Sequence, residues 1–215
     1  MHLRLPLLAA ALTASLALPG AVQASPEVPV ALPCVDAVAV TVNCAPAPAP
    51  APAPKPAESC PGRDLVPTAA NVAAIRGATL CLLNEERADR RLGALNSTPP
   101  LQAVAGAYAK RMVRERFFDH TAPDGATFLS RIKRSSYLRG SLRRWSVGEN
   151  IAWGTGDLAT PEQIVQAWMH SPGHRRNILT ARFTELGLGV AIGAPRGGQG
   201  GAAATYVNEF GQRRR

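Results

Sequence analysis

Residues 45–57 read APAPAPAPAPKPA, and no other stretch limits the fold of this chain so sharply. Each proline fixes φ, lacks an N–H and pushes its preceding residue out of the helical region. The run can therefore join neither a helix nor the interior of a sheet. It is predicted to be an extended polyproline-II spacer. Its thirteen residues, at about 3.1 Å each, reach roughly 40 Å.

The spacer divides a 215-residue chain into unequal parts. Before it, Arg4 opens a short basic start, Leu5 to Leu18 is apolar, and Val22-Gln23-Ala24 supplies small residues at a cleavage position. Residues 1–24 read as a secretory signal peptide, with an apolar core too short for a convincing transmembrane span. An uncut N-terminal anchor is the alternative. No other apolar run approaches membrane-spanning length, so a secreted or extracytoplasmic product at the cell envelope is expected. Residues 25–44 carry prolines 26, 29 and 33 and suggest no fold. Residues 45–59 form the Ala/Pro-rich linker, and the compact domain is expected over 60–215.

Export permits disulfides, and the four cysteines Cys34, Cys44, Cys60 and Cys81 form an even set. Of three possible pairings, Cys34–Cys44 with Cys60–Cys81 avoids folding the spacer back on itself. No CxxC pair is present to suggest thiolate metal ligation.

Charge is strongly basic: 24 Lys and Arg against 15 Asp and Glu, or +9. Much of the excess is local, since Arg131, Lys133, Arg134, Arg139, Arg143 and Arg144 lie in a run without an acid. Such a surface favours anionic envelope polymers or lipids; the alternative is an ordinary solvated face. No nucleic-acid motif accompanies it.

Within the domain, Val72, Ile75, Ala78, Leu82 and Leu83 recur at helical spacing, in a helix expected to end near Leu92-Gly93. Pro99 and Pro100 open a second helix with an apolar stripe of Leu101, Val104, Ala105, Tyr108, Ala109, Met112, Val113 and Phe117. Turn residues from Asp119 to Gly125 break it, and a basic helix is predicted over 127–137. Residues 145–153 read as a short strand or loop. Thr160-Pro161-Glu162 caps a helix showing Ile164, Val165, Trp168 and Met169, which Pro172-Gly173 should stop. Strands follow over 183–192 and 203–210, joined by the turn GAPRGGQGG. Helices first, a late antiparallel sheet and no β-α alternation argue for an α+β layered domain.

Chemistry-bearing residues sit beside turns. His120, His170 and His174 remain once the leader is set aside. His170 and His174 have i,i+4 spacing, but Pro172 and Gly173 between them argue against joint ligation. Glu149, in Gly-Glu-Asn, and Glu185, in Thr-Glu-Leu, are carboxylates among apolar neighbours and need partners. Two carboxylates and two imidazoles can satisfy one another, bind a divalent cation, or act as acid–base pairs. A buried polar cluster without chemistry is the competing reading. Ser130-Arg-Ile-Lys133 has the Ser-x-x-Lys spacing of penicillin-recognising enzymes, without that family's later motifs.

Five motifs together resemble the CAP superfamily, the SCP-like extracellular or cysteine-rich secretory proteins, most of all its bacterial secreted branch. They are Leu83-Asn84 with Glu86-Arg87, A-x-x-Y-A-x-x-M from Ala105, F-x-H-x-x-P-D-G from Phe118, G-E-N-I from Gly148, and W-M-x-S-x-G-H-R-x-N-I-L from Trp168. F-T-E-x-G-x-G from Phe183 and the late Tyr-Val-x-x-Phe-Gly fit as well. The resemblance spans roughly residues 75–212. It implies a three-layer α-β-α sandwich with a central antiparallel sheet and an open cleft, which in animal members is lined by two histidines and two glutamates able to hold zinc. His120 and Glu149 match the first histidine and the G-E-N glutamate. The remaining animal positions fall near Ser171 and at Arg182, so His174 and Glu185 are taken as substitutes. The expected function is a cell-envelope or extracellular binding module for lipid, glycan or peptide, with His120 and His174 as metal ligands. The alternative is a metal-dependent peptidase or esterase using Glu149 or Glu185; no nucleophile-plus-base signature supports it.

Overall fold

The computed structural model describes residues 60–197 and 202–214. The expected leader, segment 25–44, linker 45–59 and the Cys34–Cys44 bridge lie outside the described residues. In chain order the elements are α1 (Val72–Ala88), β1 (Asn96–Ser97), α2 (Pro99–Glu115), α3 (Phe128–Arg134), β2 (Arg144–Thr155), a 3-10 turn (Gly156–Ala159), α4 (Pro161–His170), α5 (Pro172–Ile178), β3 (Glu185–Ile192) and β4 (Ala203–Arg214).

The sheet order is β1-β3-β4-β2. β4 pairs antiparallel with both β2 and β3, which makes it the central strand. The two-residue β1 lies parallel to β3, so the sheet is mixed at one edge. Strand alternation then sorts the side chains into two layers. Leu186, Leu188, Val190, Tyr206 and Phe210 pack with Ile75, Leu82, Leu83 and Trp168 of α1 and α4. Ile151, Ala191 and Val207 face Ala105, Ala109 and Met112 of α2 instead. Helices on both faces make an α-β-α sandwich of the α+β class.

The alternation of β3 shows why α2 sits where it does. A Cβ added to Gly187 would lie 2.0 Å from the Leu101 backbone, and one added to Gly189 2.2 Å from that of Ala105. Two glycines on one face thus form a groove into which α2 is laid backbone to backbone.

Several boundaries differ from those the sequence suggests: α3 ends at Arg134, β3 begins at Glu185 and β4 runs on to Arg214, and three further differences have a visible cause. α1 stops at Ala88, short of the expected end near Leu92-Gly93. Leu92 N–H bonds the Arg87 carbonyl and Arg91 N–H that of Ala88, with Arg91 in the left-handed region at φ 56°. This is a Schellman ending with arginine at the position glycine usually fills. Residues 145–153 belong to a twelve-residue strand rather than a short one. Pro172-Gly173 does not end helical structure: Ser171 is extended, and Pro172 occupies the first turn of α5. Proline excludes helical geometry from the residue before it yet suits a helix start, so it separates two helices.

The described segment begins at Cys60, which is bridged to Cys81 of α1. Among the described residues, no helix is long and apolar enough to cross a membrane.

Candidate functional site

The site grows from the sequence Gly148-Glu149-Asn150 on the edge strand β2, where alternation sends neighbouring side chains to opposite faces. Gly148 leaves room for the Phe183 ring, which a Cβ would approach to 3.1 Å. Asn150 points to the α5 side, donating to the His174 carbonyl at 3.0 Å and accepting from Asn177 at 2.8 Å. Asn177 also donates to the Glu149 carbonyl at 3.1 Å. Asn150 and Asn177 therefore dock α5 onto the strand that carries Glu149.

A second anchor holds the other end of α5. Arg87 is fully buried, and the partners of its guanidinium are backbone carbonyls. It donates to the carbonyls of Gly93 (2.8 Å), Ile178 (2.6 Å), Thr180 (3.2 Å) and Phe183 (2.9 Å). Carbonyls left over at a helix C-terminus carry partial negative charge, which suits a buried guanidinium. Asn84, one turn earlier, exchanges two hydrogen bonds with the Leu95 backbone. These contacts give physical content to the Leu83-Asn84 and Glu86-Arg87 motif.

On the opposite face Glu149 is almost wholly buried, its side chain 1% exposed. One oxygen accepts from Arg131 at 2.5 Å, and the other lies 2.8 Å from His120 Nδ1. A carboxylate can only accept, so His120 Nδ1 carries the proton and Nε2 is left free. Arg131 does more than neutralise charge. It donates to the carbonyls of His120 and Ala126, and its guanidinium stacks 3.2 Å above the Tyr108 ring. Tyr108 in turn donates to the Asp119 carbonyl at 2.6 Å. Asp119 and Asp124 accept from the backbone N–H groups of Thr121 and Ala126. The His120 loop is thus fixed from below while the imidazole remains 49% exposed.

Across the ladder, Glu149 pairs with Glu209 of β4. Glu209 is fully buried, and among the described residues neither of its oxygens makes a hydrogen bond of good geometry, although the Glu149 carboxylate is close enough to act on it. Burial first, and the nearby Glu149 charge second, raise its pKa well above the usual carboxylate value. Arg131 and His120 hydrogen-bond the Glu149 carboxylate, whereas burial favours the protonated form of Glu209. Glu209 is the site residue that sequence reasoning missed. Its signal was available: on a strand with Thr205 and Val207 turned to the same buried face, an ionisable group at the next alternate position needs an explanation.

The imidazoles shift in opposite directions. The Glu149 hydrogen bond raises the His120 pKa above its ordinary 6.5, with burial opposing. His174 is lowered, by burial first and then by the charge of His120. The two are therefore electrostatic neighbours, brought round the free edge of β2 from opposite layers.

A model of the CAP family, described as the cysteine-rich secretory protein family, matches residues 80–208. The chain belongs to the CAP family. It is 34% identical over 120 residues to the uncharacterized protein YkwD of Bacillus subtilis, covering 56% of this chain and 44% of YkwD. It is 29% identical over 111 residues to the uncharacterized membrane protein YlbC of the same organism, covering 52% of this chain and 30% of YlbC. The match spans less than half the length of either relative. An outer surface protein of Borrelia burgdorferi shares the fold at TM-score 0.50 and 23% identity, over 62% of this chain and 88% of that one.

Within this CAP domain, His120 and Glu149 meet directly, and His174 is near enough for the His120 charge to lower its pKa. Glu185 does not. It accepts from the Tyr137 hydroxyl at 2.6 Å and lies 3.5 Å from Arg213, in a separate cluster two residues along β3 from the Glu209 row. His170 is exposed and bonds the Gln166 carbonyl one turn back in α4. Arg131, expected on the basic surface, is instead an interior partner of Glu149 with only 9% of its side chain exposed. Its spacing with its basic neighbours looked like surface, but one turn of α3 faces the sheet. Cys60, Cys81 and Glu85 cluster as metal ligands might, but the disulfide consumes both thiolates. Among the described residues no group of three converging His, Cys, Asp or Glu donors includes His120 or His174. Both Glu149 oxygens are already engaged.

Proposed function

We propose that this CAP domain works outside the cytoplasm as a binding module, with a cleft at the β2 edge that holds a divalent cation, zinc being the best match, through His120 and His174. The reading rests on one observation: a half-exposed imidazole is oriented by a buried carboxylate so that its second nitrogen faces outward. Metal-binding histidines are commonly oriented in this way by a carboxylate partner. The lowered His174 pKa supports it, because only the neutral ring ligates. Positions beyond two imidazoles are left for water or for a polar group of a lipid, glycan or peptide. The secretory family and the leader-like residues 1–24 support placement outside the cell.

Calorimetric titration of zinc into the metal-free full chain should show about one site, lost in His120→Ala and in His174→Ala. Glu149→Gln should weaken binding about 10–100-fold. Absent heat, or binding untouched by His120→Ala, defeats the reading.

A second reading, metal-dependent hydrolysis of a peptide or ester, draws on the Glu149–Glu209 pair. Two carboxyls that hold one proton between them can divide acid and base roles. Zinc-loaded protein assayed on a peptide and ester panel should then lose turnover in Glu149→Gln; no turnover on any substrate removes this reading.

A further inference from the structure

The end of the sheet away from the 3-10 turn carries four arginines around one concavity of about 440 Å³: Arg144 from β2, Arg213 and Arg214 from β4, and Arg182 from the loop before β3. Thr184 and Gln212 complete its lining with neutral polar groups. Their charge balance is unusual. Among the described residues Glu185 is the one carboxylate that forms an ion pair with the group, at 3.5 Å from Arg213. Arg213 also donates to the Tyr137 carbonyl and packs over its ring. Arg144, Arg182 and Arg214 have no ion pair or side-chain hydrogen bond among the described residues.

Arg144 and Arg214 stand directly opposite each other in the β2–β4 register. Like charges facing across a ladder repel. Charge on an edge strand can deter pairing with other chains, which accounts for Arg144. It extends to Arg214, since β3 pairs with β4 only as far as Gly211, but it does not account for Arg182 on a loop.

We infer that this trough is a binding site for a phosphate group, recognised by guanidinium forks from β2, β4 and the pre-β3 loop. A planar guanidinium presents paired N–H donors that match phosphate oxygens. Several unneutralised cations around one concavity fit a multiply charged oxyanion better than a single carboxylate. The phosphate can be free or the headgroup of an anionic lipid; the chemistry of recognition is the same. This inference is independent of the metal reading, since none of these residues touches His120, Glu149 or His174.

The test uses the full chain and the fluorescence of Trp145, which pairs with Arg213 across the ladder and is 41% exposed. Inorganic pyrophosphate should perturb that fluorescence saturably, with affinity falling as salt rises. Co-sedimentation should show binding to phosphatidylglycerol vesicles and none to phosphatidylcholine vesicles if the headgroup is the source. Pyrophosphate binding without vesicle binding assigns a free phosphate. The double variant Arg182→Gln/Arg214→Gln should lose about tenfold or more in either arm, with unchanged thermal unfolding because neither side chain has an ion pair or side-chain hydrogen bond to lose among the described residues. Arg139→Gln, an exposed cation outside the trough, should leave affinity unchanged. Binding to neither probe overturns the inference. So does an equal loss in Arg139→Gln, which would reduce the effect to net charge.

Discussion

Glu209 and Glu149 face each other on adjacent strands, yet only one of them finds cations, and that asymmetry divides their roles. Glu209→Gln keeps the shape and removes the proton equilibrium. A raised folded pKa means that the unfolded chain loses the Glu209 proton first as pH climbs. Wild-type stability should therefore fall relative to Glu209→Gln above about pH 4.5, by up to about 1.4 kcal/mol per pH unit while only the folded state retains the proton. Denaturant unfolding of both proteins between pH 4 and 8 measures it; parallel curves would place a charge, rather than a proton, on Glu209. The histidines offer a second titration. In NMR spectra His120 should titrate above 6.5 and His174 below it, and Glu149→Gln should bring His120 down. The His120–Glu149 interaction stabilises the fold most below pH 6.5, and this contribution is lost as pH rises through the folded His120 value. His120 and Glu149 could be read from the sequence because each is an ionisable residue beside turn or glycine chemistry. Glu209 could not be found by that criterion, since it lies within a strand and its partner comes from sixty residues away in sequence. Arg131 was misplaced for a related reason: charge along a sequence does not show which face of a helix turns inward.

At the scale of elements, close approach and helix endings decide what the layers tolerate. Gly189→Ala should cost about 3 kcal/mol or more, because the new methyl meets the Ala105 backbone, which cannot rotate away. Thermal unfolding should fall by roughly 6–12 °C, and an unchanged midpoint would mean that α2 can lift off β3 freely. The endings of α1 and α2 predict the opposite sign. Arg116, like Arg91, adopts φ 56° at a left-handed C-terminal position, with Phe117 N–H bonding the Met112 carbonyl behind it. Arg116→Gly should relieve that conformation and stabilise by about 1 kcal/mol, visible as a melting point higher by about 2–4 °C. The amphipathic stripe of α2 and the β3–β4 hairpin were legible because periodicity and alternation are local properties. α5 was not, since Pro-Gly chemistry is shared by a helix stop and a helix start. What selects the start is remote: Arg87 receiving its last carbonyls and Asn150 receiving its first turn.

For the whole molecule, the question is how far the two faces of the sheet depend on each other. The Cys60–Cys81 bridge belongs to the α1–α4 layer, where Cys60 is fully buried in the core. It closes a span of 21 residues, for which chain entropy suggests about 3 kcal/mol. The same segment has a second attachment: Arg63 pairs with Glu162 at 2.9 Å, and its carbonyl accepts from the Glu162 N–H at the start of α4. The Cys60→Ala/Cys81→Ala variant should therefore still fold, and it should melt roughly 6–12 °C lower. His120, Glu149 and Glu209 lie on the other face and are fixed by α2, α3 and the β2–β4 ladder, none of which contains either cysteine. His120 should accordingly keep its titration midpoint in the bridge-free protein. At this edge α5 is held by Arg87 on one side and by Asn150 on the other. If loss of the bridge loosens α1, its effect should reach His174 first. A shift in both imidazoles would mean that the sheet transmits disorder across its faces; a shift in His174 alone would identify Arg87 and α5 as the mechanical link between disulfide and cleft.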